Sequence, residues 1–273
     1  MTNLRMHCLT LNPEHLEKIK KLDYLPVGLG NNSFNKEWLR DNTEKNISIK
    51  NENYGEYTFH YWIWKNNLQS VKNSQWVGFC QYRKFWIEKK IKNDNFTFDE
   101  LNKLVLKKIP EKYSEYESII GEPFYVNQFR FSKFVKRNLK KMILSPSLFF
   151  NKKKRTLKFH FDMWHGDGNL NKAIKLLDKN DRSDFDDFMN TNISFNPHNM
   201  FICKSEILHR YYESIFPWLE RCESEFGFDN LKGFGLKRIY GFLAERYLSY
   251  WFQKNTKYLT LPIYFKDITS LNL

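Results

Sequence analysis

Two cations beside an aromatic side chain, at the end of an apolar run, could hold a diphosphate. Gln81-Tyr82-Arg83-Lys84 offers this after the run Trp76 to Cys80. Arginine brings a planar fork of donors and lysine a point charge, and both neutralise phosphate oxygens. The run before the cluster reads as a short buried strand. In an open α/β sheet, ligands bind beyond the carboxyl ends of strands, and the cluster sits at such an end. The same four residues also suit a surface hairpin with two solvated cations, and spacing alone does not separate the readings. Upstream, NENYGEYTFHYWIWKNN (51–67) reads as a helix. Glu56, His60 and Lys65 fall roughly on one side, with Tyr57, Tyr61 and Trp64 packed around them.

Other stretches carry chemistry with a bland alternative beside it. In DNTEKNISIKN (41–51), Asp41, Asn46 and Ser48 could hydrogen-bond a base and a ribose. They could equally form caps and turns, which the residues alone favour. YLPVGLG, ending at Gly30, could be a phosphate loop, but a turn is the better reading. Trp164 to Gly168 reads as a loop, with Asn169 or Asp167 capping the helix NLNKAIKLL. His165 and Asp167 there suit either an active-site edge near a phosphate or a helix cap with an exposed histidine. Asn199 opens a short apolar strand with His198 beside it. Contact with sugar or phosphate and plain hydrogen bonding at a strand start stand level. Glu245 and Arg246 lie among Phe242, Tyr247, Tyr250 and Trp251. A carboxylate embedded in aromatics is paired or has a raised pKa, so this is a site or a structural pair. Asp184-Phe185-Asp186 has the form of a metal-holding Asp-x-Asp motif. It lies in a charged helical segment rather than at the end of an apolar strand, so no metal is assigned to it.

The elements needed to position these residues follow from the whole chain. Its 273 residues suffice for one large domain or two small ones. Residues 4–10, 24–30, 118–126 and 256–268 read as strands; 97–117 reads as a surface helix and its connection, 238–252 as a helix, and 36–46 as a short helix and loop. The net charge of +13 is uneven, with no acidic residue between Pro123 and Phe161. That basic segment, centred on MILSPSLFF, suits an anionic membrane surface or a flexible insertion. No nucleic-acid-binding signature is present, so no nucleic-acid partner is expected. The N-terminus shows no leader-like apolar run, and no run is long enough to span a bilayer. Cys8, Cys80, Cys203 and Cys222 are scattered, without zinc spacing or a disulfide framework, as in a reduced cytoplasm.

Three separated stretches resemble, in order, the hallmarks of a bacterial family catalogued as domain of unknown function 4422. Its pattern is a Glu-Leu-Thr helix ending in Trp-x-Trp-Lys-Asn, then Gly-x-x-His-Tyr-Arg-Arg. Here these are Glu56-Tyr57-Thr58, Trp62-Ile63-Trp64-Lys65-Asn66 and Gly78-Phe79-Cys80-Gln81-Tyr82-Arg83-Lys84. Asn199-Met200-Phe201-Ile202 with the Tyr211–Trp218 helix, and Arg238 to Arg246, resemble the second and third hallmarks. Three departures stand out. Gln81 replaces the usual histidine and cannot carry a proton. Lys84 replaces an arginine and loses the bidentate fork. Glu44 stands where relatives have glycine.

The resemblance implies a single α/β domain over 1–273 with a GT-A-like (Rossmann-like) mixed sheet flanked by helices. A basic, membrane-facing insertion is expected at about 127–158. It implies a glycosyltransferase that moves a hexose from a nucleotide-diphosphate sugar to a capsular, lipooligosaccharide or exopolysaccharide acceptor. The alternative is a non-catalytic nucleotide-sugar- or glycan-binding member of a polysaccharide assembly complex. Asp41, Asn46, Ser48, Glu56, Tyr82, Arg83, Lys84, His198 and Asn199 would bind the nucleotide sugar, and Glu245, Asp167 and His165 would be catalytic. The expected partners are a nucleotide sugar, a UDP-sugar first, a glycan or polyprenyl-linked acceptor, and an anionic membrane. The expected location is cytoplasmic, on the inner face of the plasma membrane. No cofactor is required; cations would stand in for a divalent metal such as Mn²⁺, which is not favoured.

Overall fold

The computed structural model describes residues 2–67, 76–91, 96–128 and 151–273, so most of the expected basic insertion, 129–150 with MILSPSLFF, lies outside the described residues. The strands are β1 Thr2–Thr10, β2 Leu25–Gly28, β3 Leu39–Arg40, β4 Trp76–Gln81, β5 Lys84–Trp86, β6 Lys108–Ile109, β7 Ser118–Gly121, β8 Phe124–Tyr125, β9 Ser194–Phe195, β10 Phe201–Lys204, β11 Tyr258–Leu261 and β12 Ile263–Phe265. The main helices are α1 Leu16–Lys21, α2 Tyr57–Trp62, α3 Phe98–Leu104, α4 Leu157–His165, α5 Asn169–Lys175, α6 Lys179–Thr191, α7 Ser205–Phe226 and α8 Ile239–Asn255. Two compact units result, one of residues 1–122, 198–214 and 251–273, the other of 123–197 and 215–250.

The first unit is a mixed sheet in the order β11-β7-β10-β4-β1-β2-β3. β1 runs parallel to both β2 and β4, so their carboxyl ends share one edge. β10 runs antiparallel to β4 and β7. β4 is buried at all six positions, which is why it reads as an unbroken apolar run rather than an alternating one. Gly78 lets the sheet core close in at its centre: a Cβ there would lie 2.9 Å from the end of the Met6 side chain and 3.0 Å from that of Ile202, so both would have to shift. All six residues of α2 are buried. Its His60 packs against Phe79 and Phe201, with ring centroids 4.3 and 5.3 Å away. The fold class is thus the expected one, α/β with a GT-A-like mixed sheet flanked by helices.

Several boundaries differ from the sequence reading. Residues 36–46 form turns around β3 rather than a helix. The strand expected over 118–126 breaks into β7 and β8 at Pro123, and the last strand breaks at Pro262. Proline has no N–H to donate to a ladder, so each strand stops there. The two halves of the last strand then pair differently, β11 with β7 and β12 with β5. All four cysteines are free and buried. Among the described residues, no helix is long and apolar enough to cross a membrane.

The second unit packs α4, α5 and α6 with the later part of α7 and the earlier part of α8. Phe161, Leu170, Ala173, Phe185, Trp218 and Tyr247 are fully buried in it. The Trp218 indole N–H donates to the Ala173 carbonyl at 2.8 Å, which satisfies the one polar atom of a large buried ring. The motif Asp184-Phe185-Asp186 lies inside α6, with Phe185 buried and the Asp186 carboxylate accepting from Asn190 one turn on.

Candidate functional site

β4 ends at Gln81, the chain turns at Tyr82 and Arg83, and β5 begins at Lys84. The turn is held on three sides by backbone bonds. Tyr82 N–H donates to the Leu9 carbonyl at 3.1 Å. The Tyr82 and Arg83 carbonyls accept from Ile268 and Lys266, each at 3.2 Å. The cation pair is therefore mounted on the sheet edge and not on a loose hairpin. Arg83 is exposed and Lys84 half-buried.

Gln81 links what surrounds the pair. Its carboxamide N–H₂ donates to the Glu56 carboxylate at 2.8 Å and to the His198 carbonyl at 3.1 Å. Glu56, Gln81, Arg83, Lys84 and His198 thus gather at one place from three stretches of chain. The His198 ring meets Phe265 edge-on at 5.1 Å. Burial, with Lys84 and then Arg83 beside it, pulls the His198 pKa down to about 3. His198 therefore stays neutral at ordinary pH. His198 and Asn199 both adopt left-handed backbone conformations, with φ of +84° and +53°. Each costs about 1–2 kcal/mol for a residue bearing a Cβ. Strain of this kind collects at functional sites.

A second layer sits behind Tyr82. His15 lies with its ring centroid 5.0 Å from that of Tyr82. Its two nitrogens meet the Thr10 and Thr269 hydroxyls, each at 2.9 Å. Sequence reasoning missed His15, because the partner that fixes it is 254 residues away.

Asp41, Asn46 and Ser48 are placed differently. Asp41 is fully buried; its carboxylate accepts from Gly30 N–H at 3.2 Å and from the Thr58 hydroxyl at 2.6 Å. Burial raises its pKa against those bonds. Gly30, at φ +70°, is a turn residue whose N–H is already taken. Asn46 accepts from the Ser48 N–H and hydroxyl at 3.2 and 2.9 Å and donates to the Glu44 carbonyl at 2.8 Å. These are the bonds of the turn-former alternative. Glu44, the residue that departs from the expected pattern, sits at φ +48°.

Glu245, Asp167 and His165 belong to the second unit. Glu245 pairs with the buried Arg246 at 2.7 Å, and the guanidinium lies 3.5 Å over the Phe195 ring. His165 is not in a loop, as expected, but is the last residue of α4, because the terminating glycine is Gly166 at φ +89°. The imidazole is buried, stacked on Phe242 at 4.1 Å, and donates through Nδ1 to the Gly235 carbonyl at 2.9 Å. Burial and the charge of Arg246 pull its pKa down to about 3. Asp167 is exposed in the turn between α4 and α5. No side chain caps α5; the Asn169 amide instead reaches back to the His165 carbonyl at 2.8 Å.

A hard divalent ion asks for six or more oxygen donors. Among the described residues no three His, Cys, Asp or Glu side chains gather as a metal-binding group. Beside Arg83 and Lys84 the cluster offers the Glu56 carboxylate, already engaged by Gln81.

Comparison with known proteins bears on the fold. No curated protein matches the chain. A solved structure titled as the apo form of WbbM, a bifunctional glycosyltransferase, is similar with a TM-score of 0.61 and 19% identity. The similarity covers 97% of this chain and 45% of that one, so the chain spans less than half the length of that protein. At this identity the likeness speaks for a shared fold. Residues 10–256 match the family described as Domain of unknown function (DUF4422), which takes in all three hallmark stretches, and the chain belongs to that family.

Proposed function

We propose that the chain is a glycosyltransferase that moves a hexose from a nucleotide-diphosphate sugar to a capsular, lipooligosaccharide or exopolysaccharide acceptor. One observation carries the reading: Arg83 and Lys84 are fixed by backbone bonds where the carboxyl ends of β1 and β4 meet, with Glu56, Gln81 and His198 around them. Family membership and a fold shared with a glycosyltransferase structure support it.

In this reading Arg83 and Lys84 take up the charge that develops on the leaving diphosphate, and their fixed mounting means little reorganisation is needed. Tyr82 offers its ring to the base or the sugar. Glu56 is held in place by Gln81 and accepts from a sugar or ribose hydroxyl. His198 and Asn199, on left-handed backbone beside the cation pair, contact the same ligand. Asp41, Asn46 and Ser48 act by bracing the loop that the nucleoside meets. A carboxylate takes the acceptor hydroxyl's proton. His165, buried and neutral, holds the turn that carries Asp167. The acceptor is a glycan or a polyprenyl-linked chain at the inner face of the plasma membrane, where the basic stretch meets anionic lipid.

The test is thermal stabilisation across UDP-, GDP- and other nucleotide sugars, with Mn²⁺ or with EDTA, because a ligand that binds only the folded state raises the melting temperature. A shift with one donor, kept in EDTA and lost in Arg83→Ala, is expected. A shift that needs Mn²⁺ would overturn the role given to the cations. No shift with any nucleotide would overturn the donor site itself.

A further inference from the structure

A shallow, open cleft of about 570 Å³ lies on the second unit between α5 and α6. Lys175, Lys179 and Arg182 line it, with Asn171, Ser183 and Asp186. Lys179, Arg182, Ser183 and Asp186 follow helical spacing and so share one face of α6. The Arg182 guanidinium is anchored to the wall, donating to the Leu177 carbonyl at 2.9 Å. Lys175 and Lys179 are exposed, and among the described residues neither ammonium has an ion-pair or hydrogen-bond partner.

The neighbouring acids are directed elsewhere. Asp181 accepts from the Tyr247 and Tyr250 hydroxyls at 3.1 and 2.9 Å. Asp186 lines the cleft but accepts from Asn190. Asp184 and Asp187 do not line it. Three cations therefore converge although α6 carries four acids, of which Asp186 alone lines the cleft. Lys179 and Arg182 also stand in the first turn of α6, against the helix dipole, an unfavourable placement for a cation. Lys175 suits the last turn of α5 and Arg182 satisfies the Leu177 carbonyl, but neither fact accounts for Lys179 or for the convergence of all three. An anion that bridges the three cations does, and the amide of Asn171 and the hydroxyl of Ser183 add neutral donors for its oxygens.

We propose that this cleft binds a phosphate-bearing ligand, either the phosphoryl group of a soluble phosphorylated compound or that of a lipid headgroup. The site lies in a different unit from Arg83 and Lys84 and does not depend on the transfer proposed above.

Because Arg83 and Lys84 should also attract phosphate, the test uses the Arg83→Ala/Lys84→Ala protein. Inorganic pyrophosphate is titrated into it by calorimetry, and flotation with phosphatidylglycerol vesicles is run beside it. Binding that falls at least tenfold on adding Lys175→Gln and Lys179→Gln is expected. Asp186→Asn, which removes the one carboxylate on the wall, should tighten it several-fold. Pyrophosphate binding identifies a soluble source, and vesicle binding alone identifies a lipid source. Absence of binding in both arms, or binding that ignores the two lysines and Asp186, would overturn the proposal. Circular dichroism of each variant separates lost binding from lost folding, and Asp186→Asn, a gain of affinity, cannot come from unfolding.

Discussion

Mild acid should unfold this protein well above the range where carboxylates titrate. His7, His60 and His165 are each no more than 4% exposed, and burial pulls each pKa from 6.5 down to about 3. In the unfolded chain all three take up a proton as the pH falls through 6.5, whereas in the folded chain they stay neutral until about 3. Stability is therefore fully present above pH 6.5 and is lost progressively below it. Each histidine contributes a loss of about 2 kcal/mol by pH 5. The three together approach about 6 kcal/mol, against a total of about 5–15 kcal/mol for an ordinary domain. Burial pulls His160 and His198 down to about 2 and about 3 and lowers His15, so these add to the same loss, while Asp41, whose burial raises its pKa, works in the opposite sense.

Urea unfolding followed by tryptophan fluorescence at pH 7.5, 6.5, 5.5 and 5.0 measures this directly. The free energy should be nearly flat from pH 7.5 to 7, then fall with a slope that reaches at least about 4 kcal/mol per pH unit, the share of His7, His60 and His165 alone. Proton NMR of the histidine rings in the folded protein gives the independent check, since these three C2–H signals should not move between pH 7.5 and 5. Stability constant to within about 1 kcal/mol over that range, or ring signals titrating near 6.5, would refute the reasoning.

Three substitutions test other parts of the structure. Glu44→Gly relieves a left-handed residue at φ +48° and should stabilise by about 0.5–1 kcal/mol net of glycine's entropy, raising the melting temperature by a few degrees; an unchanged or lower value would show that the turn is not strained. Gln81→Glu sets a second carboxylate beside Glu56 and removes the donor to the His198 carbonyl. It should cost about 1–3 kcal/mol in chemical unfolding at pH 7.5 and abolish the nucleotide-sugar thermal shift, and retention of both would remove Gln81 from the centre of the cluster. Arg246→Ala removes the 2.7 Å pair with Glu245 and strips a buried cation from Phe195, so urea unfolding should show a loss of about 3–5 kcal/mol; a loss under 1 kcal/mol would mean that the buried guanidinium is not a structural anchor.

How far a residue's role could be read in the chain depended on how far away its partner was. β4 and α2 were legible because each is buried on nearly every side and so appears as an unbroken apolar or aromatic run. The cations were legible as a strand-end cluster because the end of a buried run is itself a local signal. The breaks at Pro123 and Pro262 were readable in principle, since proline cannot donate to a ladder wherever it stands. His165 was misplaced for an equally local reason: Gly166 was taken to belong to a loop, when its φ of +89° makes it the stop of the preceding helix. Nothing local announces what Gln81 does. Its carboxamide spans to Glu56 across 25 residues and to His198 across 117, and only the antiparallel placement of β10 beside β4 brings the last two together. The same limit applies to Lys175, Lys179 and Arg182. The spacing of Lys179 and Arg182 on α6 is visible in the chain, but their convergence with Lys175 at the end of α5 depends on how two helices pack. Glu44 lies between these cases. Likeness to relatives marks it as a departure, yet the departure acquires a physical meaning only through a backbone angle. There the test needs no ligand, since glycine and glutamate differ at that position chiefly in what they cost the backbone.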